Sequence, residues 1–235
     1  MEDKNSNHCE SLQLLLKSLD SNSEPNMIEE TFEKIALELL NNYHIQKGNQ
    51  EYYIYNLEFY FCNQHHLDII TYPRHLPEGK WFFHQSGFDL TFTSKFEKDN
   101  DDKINTEKEF FFGGILIRGV VKKSNPSETF DGPCLCEWEI FDVLDALKPN
   151  TSVAHLEPNE SLNFTIGRGI YTDHRYFPFY NDNARESIRY DESMRAFNKL
   201  NLSESDFKEL LHKRYAYKIN ELLLCDILDQ NYDYR

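Results

Sequence analysis

Apolar side chains recur along this chain with two different spacings, and each spacing marks one kind of element. From Met27 to Leu40 the residues Met27, Ile28, Phe32, Ile35, Ala36, Leu39 and Leu40 stand three or four apart, which predicts one buried face of a helix. The Glu-rich start of that stretch suits the positive end of a helix dipole. Leu12, Leu14, Leu15, Leu16 and Leu19 predict a shorter helix over Ser11–Leu19, preceded by a polar stretch, residues 1–10, expected to be mobile. Beyond the Lys47-Gly48-Asn49 turn the spacing changes. Glu51–Cys62, Lys80–Thr93 and Phe110–Val121 are almost all aromatic or branched and read as strands.

Between the last two strands, Lys95–Glu109 is rich in Lys, Asp, Glu and Asn and reads as a hairpin excursion or mobile loop outside the core. Asp131-Gly132-Pro133 predicts a turn, and Cys136–Leu147 a helix after it. Ser161–Tyr171 reads as a strand interrupted by Gly167 and Gly169, and Asn181–Ile188 as loop or short helix. Ser203 three residues before Asp206 is a capping signature for a helix over Glu204–Arg214. Tyr215–Asp229 fits either an amphipathic helix or a strand followed by a helix. The expected fold is α+β: a curved, mostly antiparallel sheet flanked by helices. Residues 1–25 form a polar N-terminal segment with a short helix, and 26–235 a single domain.

Composition sharpens this picture. The 18 Phe and 14 Tyr among 235 residues can fill a core or line a pocket that stacks flat ligands. Twenty-five Lys and Arg against 40 Asp and Glu give a net charge of −15. Duplex DNA is normally gripped by a basic face, because released counterions drive that binding, so the acidity argues against ordinary duplex scanning. The five cysteines are Cys9, Cys62, Cys134, Cys136 and Cys225. Their odd number and wide spacing, with no signal peptide, predict reduced thiols and a cytoplasmic protein. Cys134-Leu135-Cys136 lacks the partners of a zinc site, no apolar run suffices to cross a membrane, and no metal is expected.

Chemistry-bearing residues concentrate between Tyr52 and Trp138. On an alternating strand Glu58 and Tyr60 share one face. A carboxylate among so many rings would be partly desolvated and suited to activating water, unless Glu58 sits on an edge strand facing solvent. His65 and His66 are adjacent, so on a regular strand only one of them reaches a given pocket. His84 and Asp89 are polar residues in an otherwise aromatic stretch, and Gly87 between them marks a bulge or the close approach of another group. Arg118 is the one cation of a nearly continuous apolar strand. It meets a carboxylate such as Glu58 or Asp89, or else a phosphate or substrate.

Taken in order, Ile54-Tyr55-Asn56-Leu57-Glu58-Phe59-Tyr60, His65-His66, Gly79-Lys80-Trp81-Phe82-Phe83, Gly113-Gly114-Ile115-Leu116-Ile117-Arg118 and Asp131-Gly132-Pro133-Cys134-Leu135-Cys136 resemble the alkyladenine (3-methyladenine) DNA glycosylase family. The resemblance covers residues 30–145. It implies an N-glycosidase without cofactor, in which Glu58 activates the water that attacks C1′ of the sugar. Tyr60 and Phe83 would sandwich the base, His66 or His65 would contact the base or its 5′ phosphate, and Arg118 would support the site. Two departures stand out. The family carries a bulky aromatic wedge before the glycine of its aromatic strand, where this chain has Ser86 before Gly87, and family members that repair DNA are usually basic.

Three functions are therefore expected to compete. The first is a DNA base-excision enzyme, and the second a hydrolase of the base–sugar bond in a free nucleoside or nucleotide, which needs no DNA-binding face. The third is a non-catalytic nucleotide- or protein-binding protein whose acidic surface suits cationic partners. In the first two the substrate carries a nucleobase, with catalytic Glu58 and Arg118 and substrate contacts from Tyr60, His65, His66, Phe83, His84 and Asp89.

Overall fold

A computed structural model describes residues 2–141, 153–169 and 189–230. The fold is α+β, with helices around a mostly antiparallel open sheet. Helices α1 (Glu2–Lys17) and α2 (Pro25–Asn42) lead into strands β1 (Tyr43–Lys47), β2 (Gln50–Asn63), β3 (His66–Leu67), β4 (Trp81–His84), β5 (Gly87–Thr91), β6 (Ile104–Asn105), β7 (Phe111–Lys122) and β8 (Thr129–Asp131). Helix α3 (Pro133–Ile140) follows, then β9 (His155–Pro158), β10 (Gly167–Gly169), β11 (Phe197–Asn198), α4 (Glu204–Leu211), β12 (Ala216–Lys218) and α5 (Glu221–Gln230).

The sheet is built on β2 and β7, antiparallel from Tyr52↔Lys122 to Asn63↔Phe111 with a register shift around Asn56. Strands run in the order β10-β12-β2-β7-β5-β4. The other side of β2 is shared in turn by β1, β12 and β3. On one face of the sheet Phe59 and Phe92 meet Phe32 of α2, ring centroids 4.8 and 6.0 Å apart. On the opposite face Cys62 and Phe112 pair across β2 and β7. With Ile69, Phe96, Ile104, Phe197, Phe207 and Leu211 they form a second apolar core. Burying each of these large side chains contributes about 1.5–3 kcal/mol.

Helical spacing located α2 but not its start. Pro25 occupies the first turn, where its missing N–H is harmless, so Glu29 and Glu30 fall beyond that turn and the expected dipole match is absent. Residues 2–10 are helical rather than a mobile tail. Lys80–Thr93 is a hairpin and not one strand: His84 pairs Gly87 around a turn at Gln85–Ser86. Lys95–Glu109 contributes to the second core through buried Phe96 and Ile104, and its β6 pairs in parallel with β11. Helix α3 begins at Pro133, three residues earlier than expected, and residues 142–147 of the expected helix lie outside the described residues, as does 181–188. Among the described residues of the expected strand Ser161–Tyr171, Gly167–Gly169 is strand and 170–171 lie outside them, while β9 carried no sequence signal that stood out. After Tyr215 the strand-then-helix alternative holds. Among the described residues no helix is long and apolar enough to cross a membrane.

Candidate functional site

One row of cross-strand partners organises the polar part of the sheet. Ala216 of β12, Glu58 of β2, Leu116 of β7, Asp89 of β5 and Phe82 of β4 stand side by side. Directly paired residues project to the same face, so Glu58 and Asp89 flank Leu116 on the face that also carries the second core. Both carboxylates are buried, Glu58 at 0% and Asp89 at 2% exposure. Such a burial is tolerable only when each charge is paired and hydrogen-bonded.

Both are. The Arg118 guanidinium donates through Nη1 to Glu58 Oε2 at 3.2 Å, and the Tyr60 hydroxyl donates to the same oxygen at 2.7 Å. Arg74 donates through Nη1 to Asp89 Oδ2 at 2.5 Å and through Nε to the Tyr72 carbonyl at 2.9 Å, and it lies 4.4 Å over the Phe82 ring. The Ser86 backbone N–H donates to His84 Nδ1 at 3.2 Å. The proton of a neutral His84 is thereby assigned to Nε2, which donates to Asp89 Oδ1 at 3.1 Å. His84 thus orients Asp89 with both ring nitrogens engaged.

Two glycines make room for this arrangement. A Cβ on Gly114 would stand 2.1 Å from Arg74 Nη1 and 2.8 Å from Asp89 Oδ2, so the second ion pair occupies the space that a side chain would fill. At Gly87, φ is +140° and an added Cβ would meet Pro133 at 2.6 Å. The close approach expected at Gly87 is therefore the start of α3.

These side chains border a cleft with a free volume of about 50 Å³, lined among others by Tyr60, Tyr72, Arg74, His84, Asp89, Leu116, Arg118 and Arg189. Glu58 does not line it and lies behind Tyr60 and Arg118. A water needs roughly 10–15 Å³ on this kind of measure, so the enclosed space suits a group of a few heavy atoms and not a whole drug-sized ligand. Among the described residues, the charged side chains bordering the cleft are Arg74, Arg118, Arg189 and Asp89, with Glu58 behind.

Of the residues expected at the site, Glu58, Tyr60, His84, Asp89 and Arg118 come together. Three do not. Phe83 pairs with Phe88, one position along from the Phe82–Asp89 pair, and so projects to the other sheet face. There its ring lies 4.8 Å from Phe141, and it cannot sandwich a ring with Tyr60. His65 is exposed, 3.6 Å from Glu24. His66 is buried, Nδ1 donating to the Phe61 carbonyl at 2.7 Å and Nε2 accepting from the Tyr215 hydroxyl at 2.9 Å. Burial lowers its pKa to about 4 and keeps it neutral, outside the cleft. Arg118 takes the carboxylate partner Glu58, while Asp89 belongs to Arg74, which the sequence reading did not single out. The Gly113-Gly114 pair inside an apolar strand was the available signal for such a close approach.

Among the described residues no three His, Cys, Asp or Glu side chains converge to hold a metal ion. Cys136 is buried, its Sγ–H donating to the Phe130 carbonyl at 3.3 Å, and burial first of all pushes its thiol up to about 12. Compared with known proteins, the chain matches no family model and no solved structure. It is similar to an uncharacterised protein of Acanthamoeba polyphaga mimivirus, 24% identical over 169 residues that span 63% of this chain and 76% of that protein.

Proposed function

We propose that the cleft binds a small nucleotide-like ligand and recognises it through its anionic oxygens. The observation that carries this reading is Arg118. It is 6% exposed, borders the cleft, and spends one side-chain hydrogen bond on Glu58, while its planar fork carries further donors. Glu58 and Tyr60 hold that guanidinium in one orientation, and a pre-oriented donor binds an oxygen anion at low ordering cost. Arg74 beside Arg118 in the lining supports an anionic ligand, and exposed Tyr72 at the cleft offers a face for a flat ring. Thermal unfolding in the presence of a panel of nucleosides and nucleotides tests the reading. Nucleotides should raise the melting temperature of the wild type by a few degrees, and the rise should vanish in Arg118→Lys, which keeps the charge but loses the fork. An equal rise in that variant overturns it.

A second reading keeps the hydrolase implied by the resemblance to alkyladenine DNA glycosylases, with the base–sugar bond of a nucleoside, nucleotide or DNA as substrate. Its support is the direct contact of Glu58 with Arg118 and Tyr60 beside a cleft that also presents Asp89. A buried carboxylate that reaches a water during turnover would stabilise an oxocarbenium-like centre as base and as negative charge. Glu58's position behind Arg118 and Tyr60 requires those two side chains to move for this to happen. Release of free base from nucleosides and from methylated DNA, abolished in Glu58→Gln, would establish it. Absence of release across both substrate sets removes it.

A further inference from the structure

Three arginines border the cleft, and the placement of two of them, Arg74 and Arg118, says which end of the ligand enters. On β7, residues 114 and 116 project to one face at alternate positions, and Arg118, at the register shift, reaches Glu58 on that same face. Arg74 lies over position 114 and Arg118 rises from position 118, with Leu116 between them as the floor. Each guanidinium is tied to a carboxylate of the Leu116 row, Arg118 to Glu58 on the β2 side and Arg74 to Asp89 on the β5 side. Strands lie about 4.8 Å apart, so the two carboxylate-bearing backbones stand on the order of 10 Å apart, with the cleft between their ion pairs. Arg74 spends Nη1 on Asp89 and Nε on the Tyr72 carbonyl, and Phe82 and the missing Cβ of Gly114 fix its plane. Among the described residues no acceptor meets its Nη2, and Arg74 borders the cleft.

We infer that the cleft seats a phosphoryl group bridged between Arg74 and Arg118, so that a nucleotide-like ligand enters phosphate-first with its base outside. This rests on the binding reading above and adds the class of group enclosed. A free volume of about 50 Å³ suits a tetrahedral oxyanion and is too small to enclose a purine with its sugar. Two arginine forks lining one cleft match the several acceptor oxygens of a phosphoryl group, whereas the edge of an uncharged base offers too few acceptors for both. Tyr72, exposed at the cleft, is placed to meet whatever follows the phosphate.

The test uses the full chain and four probes: inorganic phosphate, ribose 5-phosphate, adenosine monophosphate and adenosine. Calorimetric titration should show binding of the three phosphate-bearing probes and none of adenosine. Gly114→Ala places a methyl group against Arg74 and should weaken inorganic phosphate binding about ten- to a hundredfold, the value of one charge-assisted hydrogen bond. Arg74→Lys should weaken it similarly. Should either variant not fold, the probe series on the wild type decides. Adenosine binding as well as its monophosphate, with inorganic phosphate inert, overturns the phosphate-first inference and leaves the nucleotide reading standing. Binding of none of the four overturns both. Phosphate binding that is unchanged in a folded Gly114→Ala and a folded Arg74→Lys removes Arg74 from the clamp and overturns the inference.

Discussion

The same two strands serve two opposite environments within a few residues. At Cys62 and Phe112, β2 and β7 pair inside an apolar core closed by Ile69, Phe96, Phe197 and α4. Four residues along each strand, at Glu58 and Leu116, the same face carries two buried carboxylates and two buried arginines around a cleft. The apolar end is what stability alone would select. The charged end desolvates four ionic groups, and replacing such groups with well-packed hydrophobic residues is often neutral or stabilising. A fold that could be oily throughout but is charged at one place points to a task there rather than to a need of the scaffold.

The largest effects come from breaking each half at its centre. Phe112→Ala should cost about 3–5 kcal/mol through the cavity it leaves, and Arg118→Ala a similar ~3–5 kcal/mol through the unpaired Glu58 it strands. The halves then separate on rescue. Glu58→Leu combined with Arg118→Met should return to within ~1 kcal/mol of the wild type or exceed it, with ligand binding lost. Chemical denaturation of the single and double variants reads this. A double variant as unstable as Arg118→Ala would make the ion pair a structural requirement and dissolve the contrast.

That contrast was half legible in the sequence. The aromatic stretches of β2 and β7 announce strands because such side chains fit a pleated, half-buried surface. Alternation then places Glu58 with Tyr60, and a lone cation in an apolar strand predicts a partner for Arg118. Register is what alternation cannot supply. Whether Phe83 or Phe82 faces the cleft depends on where the hairpin turns, and a turn at Gln85–Ser86 puts Phe82 opposite Asp89. A one-residue difference there moves the side chain to the other face. Arg74 sits in an irregular segment with no period, so only the tertiary fold brings it over Gly114. His65 and His66 attract attention by chemistry, yet β3 turns them to Glu24 and to Tyr215.

His66, on the α2 face of the sheet beside Tyr215, gives the fold a response to pH of its own. Its pKa falls from 6.5 to about 4, chiefly through burial, with Lys213 lowering it further while the Phe61 carbonyl and Glu29 oppose the shift. Between those values the unfolded chain binds a proton that the folded chain does not, so stability rises with pH from about 4 to 6.5 and is complete above the unfolded value. The full span is on the order of 3 kcal/mol. Urea unfolding at intervals over that window should show the loss on acidification in the wild type and a shallower one in His66→Gln. Superimposable profiles would assign the acid sensitivity elsewhere. At the charged end, Tyr60→Phe removes the phenolic donor from Glu58 and should cost about 1.5–3 kcal/mol, together with weakened nucleotide binding.

The smallest effect tests whether the two ends are independent. Helix α4 closes the apolar end with Phe207 and Leu211, and its start is held by a capping box. The Asp206 N–H donates to Ser203 Oγ at 3.1 Å, and the Ser203 N–H donates to Asp206 Oδ2 at 3.3 Å. Ser203→Ala should cost about 1 kcal/mol, because one helix N–H loses its acceptor. Phe207, Leu211 and Ser203 do not border the cleft, so nucleotide affinity should stay within about twofold of the wild type, the agreement expected for uncoupled sites. A larger loss of affinity would mean that β2 and β7 transmit a loosened apolar end to the arginine pair. The charged end would then depend on the oily one for its geometry, and the sheet would act as one unit instead of two.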